Sequence, residues 1–445
     1  MTSRHIMAAA AFAVPALLGA PAAYSQAPGT QAVLEEIREM KRSYEERIRA
    51  LEAKLSTIEQ QAAEARTKSA APADGARGIR DNSFNPSIGV ILNGKLSSFS
   101  KDSSPMPGFA IGEEGERGRE GLGIDESELN FSANVDDRFY GSLTAAIVRE
   151  DGEDKIELEE AFVQTSPGLG LPDGVRIKAG RAFWNFGYMN EHHAHADDFA
   201  DRPLPYRTYL NGAYNDDGVQ LSWVLPTEIF AEVGGGWFRG DDFPYGDSTS
   251  GRSAWSAYGR IGGDIGADQS WRLGLSALTG TTDGRTTDDV TFIGDTTLYA
   301  VDLRYTWAPT GNARNSEVTF QAEYFRRAED GSYDDTDAGT GRVNFDDSTS
   351  GWYAQAIYKF LPAWRVGARY ARLDPAEAPA GLVGSSLDAD GHHPWTASAM
   401  GDWTSSEFGR FRLQYNREKL SSGDADNQFV LQYVISLGAH GAHAY

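Results

Sequence analysis

The sequence predicts an all-β transmembrane protein, a sixteen-stranded antiparallel outer-membrane β-barrel preceded by a short α-helical coiled coil. Three observations carry this prediction. An export signal opens the chain and is followed by a heptad repeat. Sixteen later segments alternate apolar and polar residues. The connections between those segments alternate short and long.

Residues 1–25 read as a signal peptide. Arg4 and His5 form a polar start, "IMAAAAFAVPALLGAPAA" is the apolar core, and Ala23-Tyr24-Ser25 offers small residues for cleavage. Pro15 and Pro21 interrupt the apolar run, which is short for a spanning helix. Export removes the usual soluble cytoplasmic readings, and the barrel that follows makes the outer membrane of a Gram-negative bacterium the expected location.

Residues 30–66 form a coiled-coil oligomerisation helix. Leu34, Ile48 and Leu55 recur at position a, with Lys41 among them, and Ile37, Tyr44, Leu51 and Ile58 recur at position d. A seam with a period of 3.5 residues is buried only against another helix, so this segment predicts self-association. Arg47 at g faces Glu52 at e of a parallel neighbour, and Lys54 faces Glu59, which agrees with pairing. Residues 67–84, small, polar and containing Pro and Gly, read as a flexible linker.

Residues 85–445 form the barrel. "LNFSANV" sets Leu129, Phe131, Ala133 and Val135 on one face and Asn130, Ser132 and Asn134 on the other. Period-two segments of this kind recur near 87–100, 124–135, 138–149, 156–165, 174–183, 217–225, 228–238, 254–264, 269–279, 296–307, 317–328, 351–361, 364–373, 395–404, 407–418 and 428–438. Each is about long enough to cross a bilayer at a tilt. Short turns such as Asp136-Asp137, "PTE", "LPA" and "SSE" alternate with longer Asp/Gly/Ser-rich loops at 101–123, 184–216, 239–253, 280–295, 329–350, 374–394 and 419–427, with 150–155 a short exception. That asymmetry is the layout of an outer-membrane barrel. An even strand number returns both chain ends to the short-turn side, so the coiled coil is expected in the periplasm. Aromatic residues near strand ends (Phe139-Tyr140, Phe183-Trp184, Trp237-Phe238, Trp271, Trp307, Trp352-Tyr353, Trp364 and Trp403) read as interfacial girdles.

Composition narrows the partners. With 64 Asp and Glu against 41 Lys and Arg, the formal charge is −23, which disfavours nucleic acid. There is no Cys, hence no disulfide framework and no thiolate metal site.

A barrel of this strand number encloses a channel, so passive diffusion of small hydrophilic solutes is the expected function. Parity places Glu126 and Glu128, Arg176 and Lys178, and Arg365 and Arg369 on the lumen face. In "IELEEAFVQ" Glu160 shares parity with the apolar Ile156 and Phe162, which a β-bulge would resolve. The loop 184–216 contains "EHHAHADD", in which Glu191, His192, His193, His195, Asp197 and Asp198 are candidate constriction residues and candidate ligands for a weakly bound zinc or other divalent cation. The alternative for the same residues is an ordinary polar loop held by hydrogen bonds. The acidic loop and the acidic total predict a cation-leaning pore, with divalent metal ions among the candidate solutes. No nucleophile, base and orienter assemble into an enzyme site.

"NPSIGVILNGKL", "KAGRAFWNFGYMNEHHAHADDFADRPLPYRTYL" and "SLGAHGAHAY" resemble bacterial outer-membrane porins, in a group similar to the phosphate-selective porin family and often labelled zinc-regulated or TonB-dependent outer-membrane receptor. The resemblance implies a homotrimer in outer-membrane lipid whose third loop, 184–216, folds inward and narrows the pore. Two alternatives stand beside the cation-leaning porin. One is a phosphate- or anion-selective porin. The other is a structural tether linking the outer membrane to the cell wall, because Leu34 to Ala65 as helix would span about 48 Å.

Overall fold

The computed structural model describes residues 86–438 apart from 151–152, 168, 247–250, 252 and 407. The predicted signal peptide, coiled coil and linker, with the seam residues from Leu34 to Ile58, lie outside the described residues.

Alternation of residue type, with both faces occupied, is what a strand between two solvents requires. The described chain forms β1 (Ser87–Phe99), β2 in two pieces (Gly121–Ile124 and Ser127–Asn134), β3 (Phe139–Glu150), β4 (Glu153–Thr165), β5 (Val175–Phe183), β6 (Asn215–Val224), β7 (Phe230–Phe238) and β8 (Ala254–Ile265). It continues through β9 (Gln269–Thr287), β10 (Val290–Trp307), β11 (Glu317–Asp335), β12 (Val343–Leu361), β13 (Trp364–Asp374), β14 (Trp395–Ser406), β15 (Gly409–Lys419) and β16 (Asp426–Gly438). Consecutive strands pair antiparallel, and β1 pairs with β16 from Gly89 opposite Gly438 to Phe99 opposite Gln428, which closes the barrel. Closure gives every stave a neighbour on both sides. Both pieces of β2 pair with β1, so they form one stave interrupted at Asp125-Glu126.

The polarity of the barrel is inverted relative to a water-soluble protein. On β16, Phe429, Leu431 and Leu437 are exposed outward, while Gln428 and Gln432 are buried inward. Around the wall Asn93, Asn130, Gln220, Gln321, Gln355 and Gln414 face the interior, whereas Leu92, Leu143, Leu221, Val301, Val366 and Leu413 face out. An exposed apolar belt of this extent is a surface for hydrocarbon.

Two of the predicted long loops are instead strand. Residues 280–287 and 290–295 extend the hairpin β9–β10, which turns at Asp288-Asp289 with Asp288 in the left-handed region (φ 48°). Residues 329–335 and 343–350 extend β11 and β12. On these stretches Val290, Phe292 and Tyr333 pack with Leu382 and Leu387 of the loop 374–394, and the Asp, Gly and Thr residues among them read in sequence as loop rather than strand.

The aromatic clusters divide between the two faces. Trp237 and Trp255 stack on the outer wall at 5.0 Å, and Trp364, Trp403, Phe411 and Tyr433 run across β13 to β16, with Phe411 and Tyr433 at 4.0 Å. Trp184, Phe238 and Tyr353, expected in the girdles, are instead fully buried inside the barrel. Period two decides this: adjacent residues face opposite ways, so each aromatic pair sends at most one ring to lipid.

Candidate functional site

The connection between β5 and β6, the third long loop, is built to sit inside the barrel. Its residues Trp184, Phe186, Met189, Leu204, Tyr206 and Tyr209 join an interior apolar cluster with Phe325, Tyr353 and Leu373 of the wall. Ridge-like apolar residues alone would not hold a loop in a wet lumen, so hydrogen bonds fix the rest. Trp184 Nε1 donates to Asp216 O at 2.8 Å, and Asn190 Nδ2 donates to Trp184 O and Tyr214 O. Pro203 and Pro205 set the entry to the short helix α1 (Leu204–Leu210), about two turns long, which stops at Asn211 in the left-handed conformation. The first long loop folds over this helix: Arg207 Nε donates to Gly115 O, and Gly115 N donates to Asn211 Oδ1. A Cβ at Gly115 would stand 2.2 Å from Arg207 O, so only glycine allows this approach.

One wall carboxylate anchors the loop from β11. Glu323 accepts from Tyr353 Oη at 2.5 Å, from Tyr206 Oη at 3.0 Å and from Tyr188 N at 2.9 Å. Gly187, with φ +65°, passes beside it; a side chain there would meet Glu323 Oε2 at 2.5 Å.

The acidic residues of the loop are taken up by arginines of the wall. Glu191 lies 2.6 Å from Arg260 Nη2 and 3.3 Å from Arg272 Nη2. Asp198 Oδ1 is 2.7 Å from Arg365 Nη1, and Arg365 also pairs with Asp402. Arg369 donates twice to Asp201, to its carbonyl and its carboxylate, both at 2.7 Å. Asp197 is held by Arg202 within the loop at 2.8 Å. Arg410 and Arg412 add hydrogen bonds to the carbonyls of His195 and Asp197. Burial works against ionising Asp198 and Asp201, but Arg365 and Arg369 outweigh it and hold both below the ordinary carboxylate range.

Among the wall arginines, Arg272 and Arg304 are direct cross-strand partners, and both guanidinium groups lie over the Tyr188 ring at 4.8 and 4.9 Å. Arg260, Arg272 and Arg304 therefore form a basic row on β8 to β10. The opposite charge gathers on β2 and β4 as Glu126, Glu128, Glu159 and Glu160. The loop runs between these two groups, with Glu191 against the basic row and His193 against the acidic cluster.

The acidic wall owes its form to a β-bulge. The register between β3 and β4 shifts after Thr144, whose partner is Glu160, to Ala145, whose partner is Leu158. Glu159 is the extra residue. Two consecutive glutamates thereby reach the same histidine: His193 Nε2 is 3.1 Å from Glu160 Oε2, and His193 Nδ1 is 3.5 Å from Glu159 Oε2. His193 Nδ1 is also 3.2 Å from Glu128 Oε2, and His195 Nδ1 is 2.5 Å from Glu128 Oε1. Burial disfavours a charged His193, yet Glu128, Glu159 and Glu160 outweigh burial and raise its pKa well above the ordinary histidine value.

The six predicted loop residues thus separate. His193 and His195 converge on Glu128. Glu191, Asp197 and Asp198 do not join them, because each is committed to an arginine, Arg260, Arg202 and Arg365 respectively. His192 turns away, stacked on Tyr188 at 5.0 Å with Nδ1 3.2 Å from Tyr188 O. Glu126 and Glu128 stand with the histidines as ligand candidates, while Arg365 and Arg369 are spent on the loop and do not line an open wall. Lys178 points inward, its ammonium 4.6 Å from the Phe162 ring, and Arg176 is exposed near the short-turn end of β5. Glu159, Arg260 and Arg272 were not named by sequence reasoning. The parity conflict in "IELEEAFVQ" signalled Glu159; nothing local signalled the two arginines.

No family model matches the chain. An uncharacterized protein of Aquifex aeolicus is 26% identical over 395 residues, covering 81% of this chain and 80% of that one. Among solved structures, the outer-membrane channel DcaP of Acinetobacter baumannii superposes with a TM-score of 0.50 at 13% identity, over 79% of this chain and 97% of that one. An anion-selective porin from Comamonas acidovorans gives a TM-score of 0.50 at 12% identity, over 79% and 99%. The chain is a closed sixteen-stranded antiparallel barrel that shares its fold with bacterial outer-membrane channels and porins.

Proposed function

We propose that the protein is an outer-membrane porin that passes small hydrophilic solutes by diffusion, with residues 184–216 narrowing the lumen. The observation that carries this reading is the combination of an apolar exterior, a polar interior and a long loop fixed inside by wall arginines. A barrel with only a structural role has no need of a charged, loop-filled interior. The reading includes residence in the outer membrane of a Gram-negative bacterium and self-association as a homotrimer through the heptad seam of residues 30–66.

The sign of selectivity follows from where charges remain unpaired. Because Glu191, Asp198 and Asp201 are matched to Arg260, Arg365 and Arg369, the loop itself contributes little net charge. The cation-leaning preference then rests on the total charge of −23 and is weak. Arg304, whose guanidinium donates to the neutral Gln321, favours a second reading, an anion-leaning pore in the same barrel. Reversal potentials across a KCl gradient in planar bilayers separate the two by sign, and a folded barrel that passes no current removes both.

A further inference from the structure

We propose that Glu126, Glu128, Glu159 and His193 form a binding site for one divalent transition-metal cation, zinc being the reference ion, which fastens the constriction loop to the barrel wall. The inference rests on the loop lying inside the barrel, as in the porin reading, and concerns a resident ion between that loop and the wall.

Four observations carry it. First, one ligand atom from each of these residues lies within 4.8 Å of the other three. Tetrahedral donors at about 2.0–2.1 Å from zinc stand about 3.3 Å apart, and the separations of His193 Nδ1 from Glu128 Oε2 and Glu159 Oε2 are 3.2 and 3.5 Å. Second, these three atoms are buried and make no hydrogen bond among the described residues. The Glu128 side chain is only 1% exposed, so an unsatisfied carboxylate oxygen there is costly. Third, the supporting contacts are those a metal site requires. With Nε2–H of His193 donated to Glu160, Nδ1 is directed at two carboxylate oxygens, an arrangement that repels unless a proton or a metal cation sits between them. His195 Nδ1 contacts the other oxygen of Glu128 and fixes its rotation. Fourth, the donors come from three separate elements, β2, β4 and the loop, so one ion ties the loop to two staves.

A proton on Nδ1 is the competing occupant. It supplies one positive charge to Glu126, Glu128 and Glu159, against two from a metal ion. The burial of Glu128 and His193 also separates this site from a permeation waypoint, because a permeant ion needs water at hand to leave.

The test uses the untagged full chain folded in detergent, dialysed against micromolar zinc and measured for bound metal. About one equivalent per chain is expected, with a higher unfolding temperature in zinc than in chelator. Glu128→Gln and His193→Gln abolish the equivalent, and Glu160→Gln weakens affinity about 10- to 100-fold through the supporting contact. A His192→Ala/His392→Ala/His393→Ala variant keeps it. Should the site variants fail to fold, the cobalt(II) spectrum of the wild type reads the same point: intense tetrahedral N/O bands are expected. Absence of stoichiometric metal in the folded wild type overturns the site, as does full retention in Glu128→Gln. Conductance recorded on the same preparations is independent: metal-free but conducting barrels refute the site alone, and non-conducting barrels that bind zinc refute the porin reading alone.

Discussion

Replacing Arg369 by alanine probes how the constriction is held. The guanidinium makes two charge-assisted hydrogen bonds of 2.7 Å to Asp201 and lies 4.4 Å over the Phe199 ring. Its own side chain is 1% exposed, while that of Asp201 is 28% exposed. Hydrogen bonds to charged groups are worth about 1.5–3 kcal/mol each, and a partly desolvated cation–π contact about 1–2 kcal/mol. Asp201 keeps the amides of Gln414 and Asn416 after the change, so it is not orphaned. The net loss is about 2–4 kcal/mol in the seating of residues 199–203, or a factor of roughly 30 to 700 in the docked-to-undocked ratio. Arg365, Arg260 and Glu323 still hold their segments, so the loop loosens locally rather than leaving the lumen. In planar bilayers the variant is expected to show a noisier open state and a higher conductance, and Arg369→Lys an intermediate effect. Identical conductance and current noise in wild type and Arg369→Ala would refute the view that this arginine seats the constriction.

Three further outcomes follow from the same geometry. Asp198 and Asp201 have depressed folded-state pKa values, so their contribution to loop docking is fully present above the unfolded value of about 3.9 and is lost as pH falls through the depressed values; the difference in channel noise between wild type and Arg369→Ala should therefore persist from neutral pH to about 4.5 and narrow only below about 4. Trp184→Ala removes a fully buried ring that packs 5.0 Å from Phe238 and bonds to Asp216; it should destabilise by about 3–5 kcal/mol, read as a lower midpoint for heat-modifiable migration on gels. Leu431→Arg places a charge on the lipid face between Leu96 and Leu413; refolding into vesicles should lose about 2–4 kcal/mol, while Gln432→Asn on the lumen face should refold as wild type.

How much of this was legible in the sequence varies by residue. The barrel was legible because a wall between lipid and water imposes period two on every stave, and Leu129 to Val135 or Phe429 to Leu437 carry that period plainly. Lumen parity placed Arg365 and Arg369 from Trp364, Val366, Ala368 and Tyr370 alone, since β13 has no bulge before Lys359's neighbourhood is reached on its partner. The ends of β9 to β12 were not legible, because their few apolar residues, Val290, Phe292 and Tyr333, stand among Asp, Gly, Ser and Thr and pack against the loop 374–394. The partners of the loop were hidden for a different reason. Arg260, Arg272, Arg365 and Arg369 lie 69 to 168 residues from the acids they hold, and pairing at that range is set by where the loop crosses the lumen. Histidine and carboxylate spacing within "EHHAHADD" therefore suggested a self-contained ligand set, whereas the cluster around His193 draws its carboxylates from the wall, at Glu126, Glu128 and Glu159.

Single-channel recording of the refolded full chain in planar bilayers tests the central claim most directly. The account predicts discrete ohmic steps with weak ion selectivity, altered in noise by Arg369→Ala. Correctly folded barrels that insert and leave the bilayer non-conducting would contradict it.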